Sequence, residues 1–383
     1  MKHKYLILIC IVLVIAFVGD KVKYFFGCDF SLNLGGGPKA PRLAYCDAKQ
    51  KRQDKQMVNQ FKQDFNFQCK IQQKPGLSPE TQQLYNYAYY HDLHNLWNEK
   101  EGVFDSLAHY YRIAAANGDY KANVRLQYLL EEEKIKSVDS EQEIFDLNKE
   151  LAKQLPATAY YKTYGAIDEG RLTTEQDGQY AFLRKAAELG SAEAQFELSK
   201  VIMRIQDEPT HAVRLAFSNE LEKCSSENGY AQASIFYGIQ ARMDRDLQLA
   251  LDAFHNATKQ GSNQGALRLM HAFAIDNKLT DAEKTEKEID PDKDLSLDLD
   301  LERSKRYGII SDYLFDNEHL NPKVPDLDQI VPLPPAKLPA WDGKIAFQRW
   351  FEGPSPEKPS DALVEKLAKA KGLDPKTGLP LKK

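Results

Sequence analysis

Outside the apolar N-terminal run, this 383-residue chain carries four cysteines, Cys28, Cys46, Cys69 and Cys224, and these are the side chains best placed to form covalent bonds. An even number of thiols in a chain that reaches an oxidising compartment points to disulfides, and four allow three pairings. Three of them fall within residues 28 to 69, so one bridge there and one to Cys224 would staple the leader segment onto the rest. No Cys-x-x-Cys occurs, which argues against zinc and thioredoxin-type chemistry.

Other candidate constellations are weaker. His91 and His94 are three apart and could ligate a metal from one helix face, but no third ligand stands at a fixed offset. Asp290, Asp292, Asp294 and Asp298 suggest a calcium loop, yet Leu295 and Leu301 replace its glycine and its final glutamate. Ser355 lies three residues before Lys358, and Lys376-Thr377-Gly378 follows, a pair of motifs also found in penicillin-recognising enzymes. Pro354, Pro356 and Pro359 oppose the helix such a serine needs, and the short spacing leaves no room for an intervening domain. With no Gly-x-Ser-x-Gly elbow, phosphate loop or His-Glu-x-x-His, the expectation is a non-enzyme without cofactor or metal.

The elements that position these residues follow one spacing of small residues and glycine. It occurs as Ala114-Ala115 with Gly118, Ala122 and Leu126; as Ala186-Ala187 with Gly190, Ala194 and Leu198; as Ser225-Ser226 with Gly229, Ala233 and Tyr237; and as Ala257-Thr258 with Gly261, Gly265 and Leu269. Small residues let one helix press on its neighbour, and glycine then ends it in the left-handed conformation. A small residue four positions on, and an apolar one four further, share a face of the next helix. The glycines are 72, 39 and 32 residues apart, and a degenerate unit with Leu155, Ala159 and Thr163 fills the first gap. A period of this size predicts an all-α solenoid of stacked helical hairpins.

These residues resemble Sel1-like repeats, bacterial relatives of tetratricopeptide repeats, across residues 80 to 275; Ser225, Ser226, Thr258 and Gly265 depart from the pattern. The resemblance implies a curved superhelix that binds other proteins. Residues 332–335, Trp341-Asp342-Gly343, Phe347 with Trp350, and the run 372–380 look like the C-terminal domain of unknown function of some membrane-tethered bacterial Sel1-like proteins. Similar exported proteins occur beside type VI secretion effectors, phospholipases among them, and act as immunity proteins that bind the toxin. The resemblance identifies no contact residue in this chain.

The expected organisation begins with a cytoplasmic tail, 1–4, and an apolar run, 5–19, of signal-core length that is read as an uncleaved inner-membrane anchor. Length alone leaves cleavage open. The bulk of the chain would then lie in the periplasm. A basic, cysteine-containing segment follows, 20–77, in which Val58, Phe61 and Phe65 form a stripe expected to pack on the first repeat. Ser78-Pro79 starts the array, 78–275, after which come an acidic, solvated linker, 276–302, and a C-terminal domain, 303–383. That domain holds a helix at about 301–315, a proline-rich irregular path and a last helix capped by Ser360, and is expected to cap the array.

Charge is segregated: residues 1–74 carry 13 Lys/Arg against 5 Asp/Glu, and 276–302 carry 4 against 11. The basic segment lies beside the membrane and the array is not basic, which argues against nucleic acid. Tyr85, Tyr87, Tyr89, Tyr90, Trp97, Tyr110 and Tyr111 crowd the first repeat, where core packing competes with interface use. Two functions remain: an immunity protein occluding a secreted phospholipase-type toxin, and an envelope adaptor holding a resident protein.

Overall fold

Gly118, Gly190, Gly229 and Gly261 take φ of 93°, 98°, 91° and 94°. Each stops a helix: the N–H of the residue after it reaches back to the last turn, Asp119 to Ala114, Ser191 to Ala186, Tyr230 to Ser225 and Ser262 to Ala257. At three of these turns the same residue caps the next helix, Asp119 accepting from the Ala122 N–H, Ser191 from Ala194 and Ser262 from Gly265. Stop and start are thus encoded in two adjacent residues.

The structure, a computed structural model, describes residues 65–381 apart from 98–99, 176–177, 206 and 289. The expected anchor, Cys28, Cys46, Val58 and Phe61 lie outside the described residues. Among those described, no helix is long and apolar enough to cross a membrane. The described chain is all-α. Its helices are α1 (Pro79–Leu93), α2 (Val103–Ala116), α3 (Tyr120–Glu131), α4 (Ser140–Leu151), α5 (Pro156–Asp168), α6 (Gly178–Leu189), α7 (Ala192–Arg204), α8 (His211–Glu227), α9 (Ala231–Met243), α10 (Leu247–Lys259), α11 (Asn263–Ala274), α12 (Asp281–Glu286), α13 (Leu301–Asp316), α14 (Leu327–Ile330), α15 (Ala346–Phe351) and α16 (Asp361–Ala370).

Consecutive helices from α1 to α11, and then α13, pack as a solenoid of hairpins. Ala114, Ala122, Ala186, Ala187, Ala194, Ala233 and Ala257 are fully buried between them, as are Leu126 and Leu269, with Ala115 and Leu198 nearly so. Their small volume lets the helix backbones approach; a Cβ on Gly265 would lie 2.7 Å from the Phe254 carbonyl oxygen. Tyr237 departs from this rule and is only half-buried. Its neighbour Gly238 admits the Phe254 ring instead, so close that a Cβ there would meet it at 2.6 Å.

The degenerate unit turns differently. Leu155, with φ −130°, is the N-cap of α5, bonds back to Leu151 and is followed by Pro156 at the first helical position. Of α4, Leu151 is the one buried residue.

Residues 65–77 form an irregular strap, not a cover for the first repeat. Phe65 and Phe67 set their rings edge-on to Phe217 of α8, at 5.6 and 6.1 Å. Cys69 is bonded to Cys224 of α8, Gln195 donates to the Lys70 carbonyl, and the Gln72 N–H donates to the Gly190 carbonyl. The expected packing of Phe65 on the first repeat is therefore corrected, because the strap crosses α8 and the Gly190 turn before Ser78 caps α1. The cysteine pair closes a loop across a sequence separation of 155. Cys224→Ser is expected to cost about 2–4 kcal/mol, read as a lower urea midpoint that the wild type reaches only in reductant; midpoints equal with and without reductant would contradict this.

The segment 276–302 is likewise more than a solvated linker. Thr280 and Glu283 form a capping box on α12, Lys284 pairs with Asp294 at 2.7 Å, and Leu295 is 2% exposed in the core beneath α11 and α13. The tail beyond α13 then joins both ends of the array. At the last hairpins, the Val324 N–H donates to the Lys259 carbonyl, and Arg306 donates to the carbonyls of Ile330 and Pro339. At the first, Trp350 stacks on Tyr89 at 5.9 Å and Phe351 on His94 at 4.1 Å. Asn117 donates to Leu367 of α16, and Arg112 to Thr377.

His255 of α10 sits inside this clasp between the Tyr307 hydroxyl, at 2.7 Å, and the Asp328 carboxylate, at 2.8 Å. Burial lowers its pKa, outweighing the pull of Asp328, while Lys259 lowers it further and Asp252 opposes. The unfolded chain therefore takes up the proton first, so this contribution is complete above about pH 6.5 and is lost as pH falls through the folded value. Thermal melts from pH 7.5 to 5 should show a steeper loss of stability in the wild type than in His255→Gln, and equal slopes would count against it.

Candidate partner-binding surface

The repeat that lacks glycine opens a groove of ≈ 660 Å³, lined by residues of α3, α4, α5, α6 and the α5–α6 loop. Leu130, Ile144, Ala152, Ala159, Ala166 and Phe182 give it apolar walls. Phe145 and Leu172 stand at its mouth, 52% and 40% exposed. In the regular units, Leu126, Leu198 and Leu269 fill the corresponding position of the helix. Here Thr163 takes that position and Asn148 reaches across to it, donating to the Thr163 hydroxyl at 3.0 Å and the Ala159 carbonyl at 3.2 Å. A polar bridge spans the gap that a packed leucine would have closed.

Charge rings the groove. Lys162 lies 3.6 Å from Glu131, and Arg171 bridges Glu131 and Glu169. Burial pushes the Lys162 pKa down against the opposing pull of Glu131. Tyr161 and Tyr164 of α5 share with Tyr230 the neighbourhood of Glu197, and burial raises all three hydroxyl pKa values ahead of carboxylate repulsion. Phe236, 47% exposed, packs edge-on to Phe196 beside them. Beyond residue 74 the chain carries 38 Lys/Arg against 51 Asp/Glu. Along the groove itself Glu131, Glu133 and Glu141 stand with Lys149, Lys162 and Arg171, so it presents both signs of charge to a protein face.

The first-repeat aromatics divide by position. Tyr90, Tyr110 and Tyr111 are buried, Tyr85 and Tyr87 pack against the same core, and Tyr89 belongs to the clasp contact. Trp97 is 77% exposed, beside His319 at 4.7 Å. The chemistry-bearing motifs have structural partners. His94 lies between Tyr90 and Phe351 with its Nδ1 2.7 Å from the Tyr90 carbonyl, and His91 meets the Ser355 hydroxyl at 3.1 Å. Asp292 pairs with Arg242, Asp290 caps its own turn, and Asp298 accepts from Asn277. Asp374 accepts the N–H groups of Lys376 and Thr377, setting Gly378 against the α2 backbone at His109. Sequence reasoning missed the groove, whose signal was the missing glycine and the threonine in the apolar position.

Residues 271–381 match a family model described as a domain of unknown function, DUF6396, covering the end of α11, α13 and the clasp. A comparison with curated proteins finds no match. Among solved structures, the chain is similar to three Pseudomonas aeruginosa proteins, each 22% identical over 70% of this chain. Immunity protein Pa5087 is covered over 95% of its length with a TM-score of 0.46, immunity protein PA5088 over 94% with 0.48, and PA5086 over 95% with 0.47. Likenesses at this level carry no functional argument.

Proposed function

We propose that this chain is a non-enzymatic, Sel1-like repeat scaffold, anchored in the bacterial inner membrane with its bulk in the periplasm, that binds and occludes a type VI secretion toxin of the phospholipase class. The observation that carries the reading is the open, apolar-walled groove between α3, α4, α5 and α6. Its size is that of a site for a protein anchor or small ligand. The clasp holds the first and last hairpins in place before any partner arrives, so little ordering entropy is left to lose on binding. The Cys69–Cys224 bond suits an oxidising compartment. The toxin follows from the sequence resemblance alone.

Occlusion needs no chemistry from the scaffold. A few aromatic anchors and complementary charge would cover the toxin's active site or its path to lipid, and a membrane anchor would keep the scaffold where a phospholipase acts. Affinity capture of the full-length protein from its own envelope, with a salt wash, tests this. Recovery of a toxin encoded beside it, whose periplasmic lethality it suppresses, supports immunity; recovery of resident envelope machinery alone overturns it in favour of an adaptor.

A further inference from the structure

The α4 wall of the groove is held differently from its neighbours. Leu151 is its one buried residue, against six on α3 and four on α5. Ile144 and Leu147 are only partly buried against the first core, and Phe145 is 52% exposed. Polar bonds supply most of the remaining hold. Asn123 donates to the Leu147 carbonyl at 2.9 Å, and Asn148 donates to the Ala159 carbonyl and the Thr163 hydroxyl. Glu143 accepts from Arg112 of α2 at 2.7 and 3.0 Å and from the Ser137 hydroxyl at 2.7 Å. A helix attached this way opens at low cost, because water replaces hydrogen bonds far better than it replaces apolar packing. The seam itself favours opening. Gln127 Oε1 on α3 and Asn148 Oδ1 on α4 are sealed from solvent with no hydrogen-bond partner, and both would be hydrated once α4 moved away.

Arg112 is where α4 meets the clasp. Its side chain is 9% exposed, and besides Glu143 it reaches the Thr377 carbonyl at 3.2 Å and the Lys136 carbonyl at 3.5 Å. The turn that carries Thr377 is closed by Asp374, whose carboxylate accepts the N–H groups of Lys376 and Thr377 and whose carbonyl accepts that of Gly378. This turn lies so close to α2 that a Cβ on Gly378 would stand 2.6 Å from the Arg112 Cβ. It therefore orients the guanidinium and keeps water from it. A two-pronged pair shielded in this way is strong, whereas the same pair in water is worth little. We propose that α4 is a movable wall of the groove and that residues 372–381 are its latch, acting through Arg112 on Glu143. With the turn lifted, the pair is hydrated and α4 swings out on the α3–α4 loop, where Val138 is fully exposed. Seating of the clasp thus sets the width of the groove offered to a partner, a regulation that rests on the partner-binding reading.

Hydrogen–deuterium exchange of the full-length protein in detergent, with no partner bound, tests the latch. After correction for intrinsic rates, α4 amides should exchange at least about tenfold faster than those of α3 and α5. Gly378→Ala unseats the turn without altering α4, since its Cβ meets Arg112 and its φ is 69°. It should speed α4 exchange by about a further tenfold. Glu143→Gln should do the same and, because coupling is reciprocal, speed exchange of residues 372–381 as well. In the double variant α4 should exchange no faster than in either single one. Asp374→Ala removes only the side-chain closure of the turn and gives the same reading should Gly378→Ala speed every helix alike. Wild-type α4 as slow as α3 would overturn the movable wall. Deprotection of 372–381 with α4 left at its wild-type rate, or effects of the two substitutions that multiply, would overturn the latch. Exchange is read without a partner, so these outcomes stand whichever protein affinity capture recovers, and failure of the capture overturns immunity alone.

Discussion

Replacing Gly261 by alanine should destabilise the fold far more than the same change at Gly229, although the two glycines have nearly equal φ of 94° and 91°. Both substitutions force a side chain into the left-handed region, at a cost of about 1–2 kcal/mol. A Cβ at Gly229 meets nothing within 4 Å, whereas one at Gly261 would lie 2.2 Å from the Pro322 carbonyl oxygen where the clasp seats. Displacing that backbone adds an overpacking cost of about 1–3 kcal/mol. Gly190 belongs with Gly261, since a Cβ there would lie 2.6 Å from the Gln72 nitrogen and 2.8 Å from the Lys70 oxygen of the strap. Urea unfolding of the three variants reads the order directly. Equal losses would mean that strap and clasp do not bear on the glycine turns.

Removal of the Asp92 carboxylate is the second large effect expected. Asp92 is fully buried on α1 and accepts from the Arg125 guanidinium at 2.5 and 2.7 Å and from the Tyr111 hydroxyl at 2.7 Å. Arg125 also lies 4.7 Å from the ring centre of Tyr128 and 5.6 Å from that of Tyr89, and Tyr89 in turn stacks on Trp350 of the clasp. Asp92→Ala leaves a guanidinium and a buried hydroxyl without an acceptor, a loss of about 3–5 kcal/mol. Adding Arg125→Met removes the unpaired charge and should recover part of the loss, because apolar replacement of both partners is far cheaper than removal of one. A double variant no more stable than Asp92→Ala would refute the pairing as the cause.

Much of this was legible from local chemistry. The glycine stops, the Ser78 and Ser360 caps and the helix from Leu301 each depend on residues a few positions apart, and each stands in the structure. The strap and clasp were not legible, because they depend on pairings such as Gln72 with Thr158 or Tyr90 with Gly353 that no periodicity encodes. The fate of 276–302 turned on one buried leucine, Leu295, within an acidic run whose charge alone predicts solvation. The groove was the hardest to read, being a failure of packing that became visible only once Thr163 and Asn148 were seen to face each other.

The most direct test of the proposed occlusion is a titration of the toxin captured with this protein, at fixed concentration, with this protein while the toxin's activity on phospholipid is followed. Occlusion predicts a linear fall to zero at an equimolar end point, independent of incubation time, with activity restored when the complex is dissociated. Inactivation by substoichiometric protein, progressive with time and permanent after separation, would show a catalyst where the account places a scaffold.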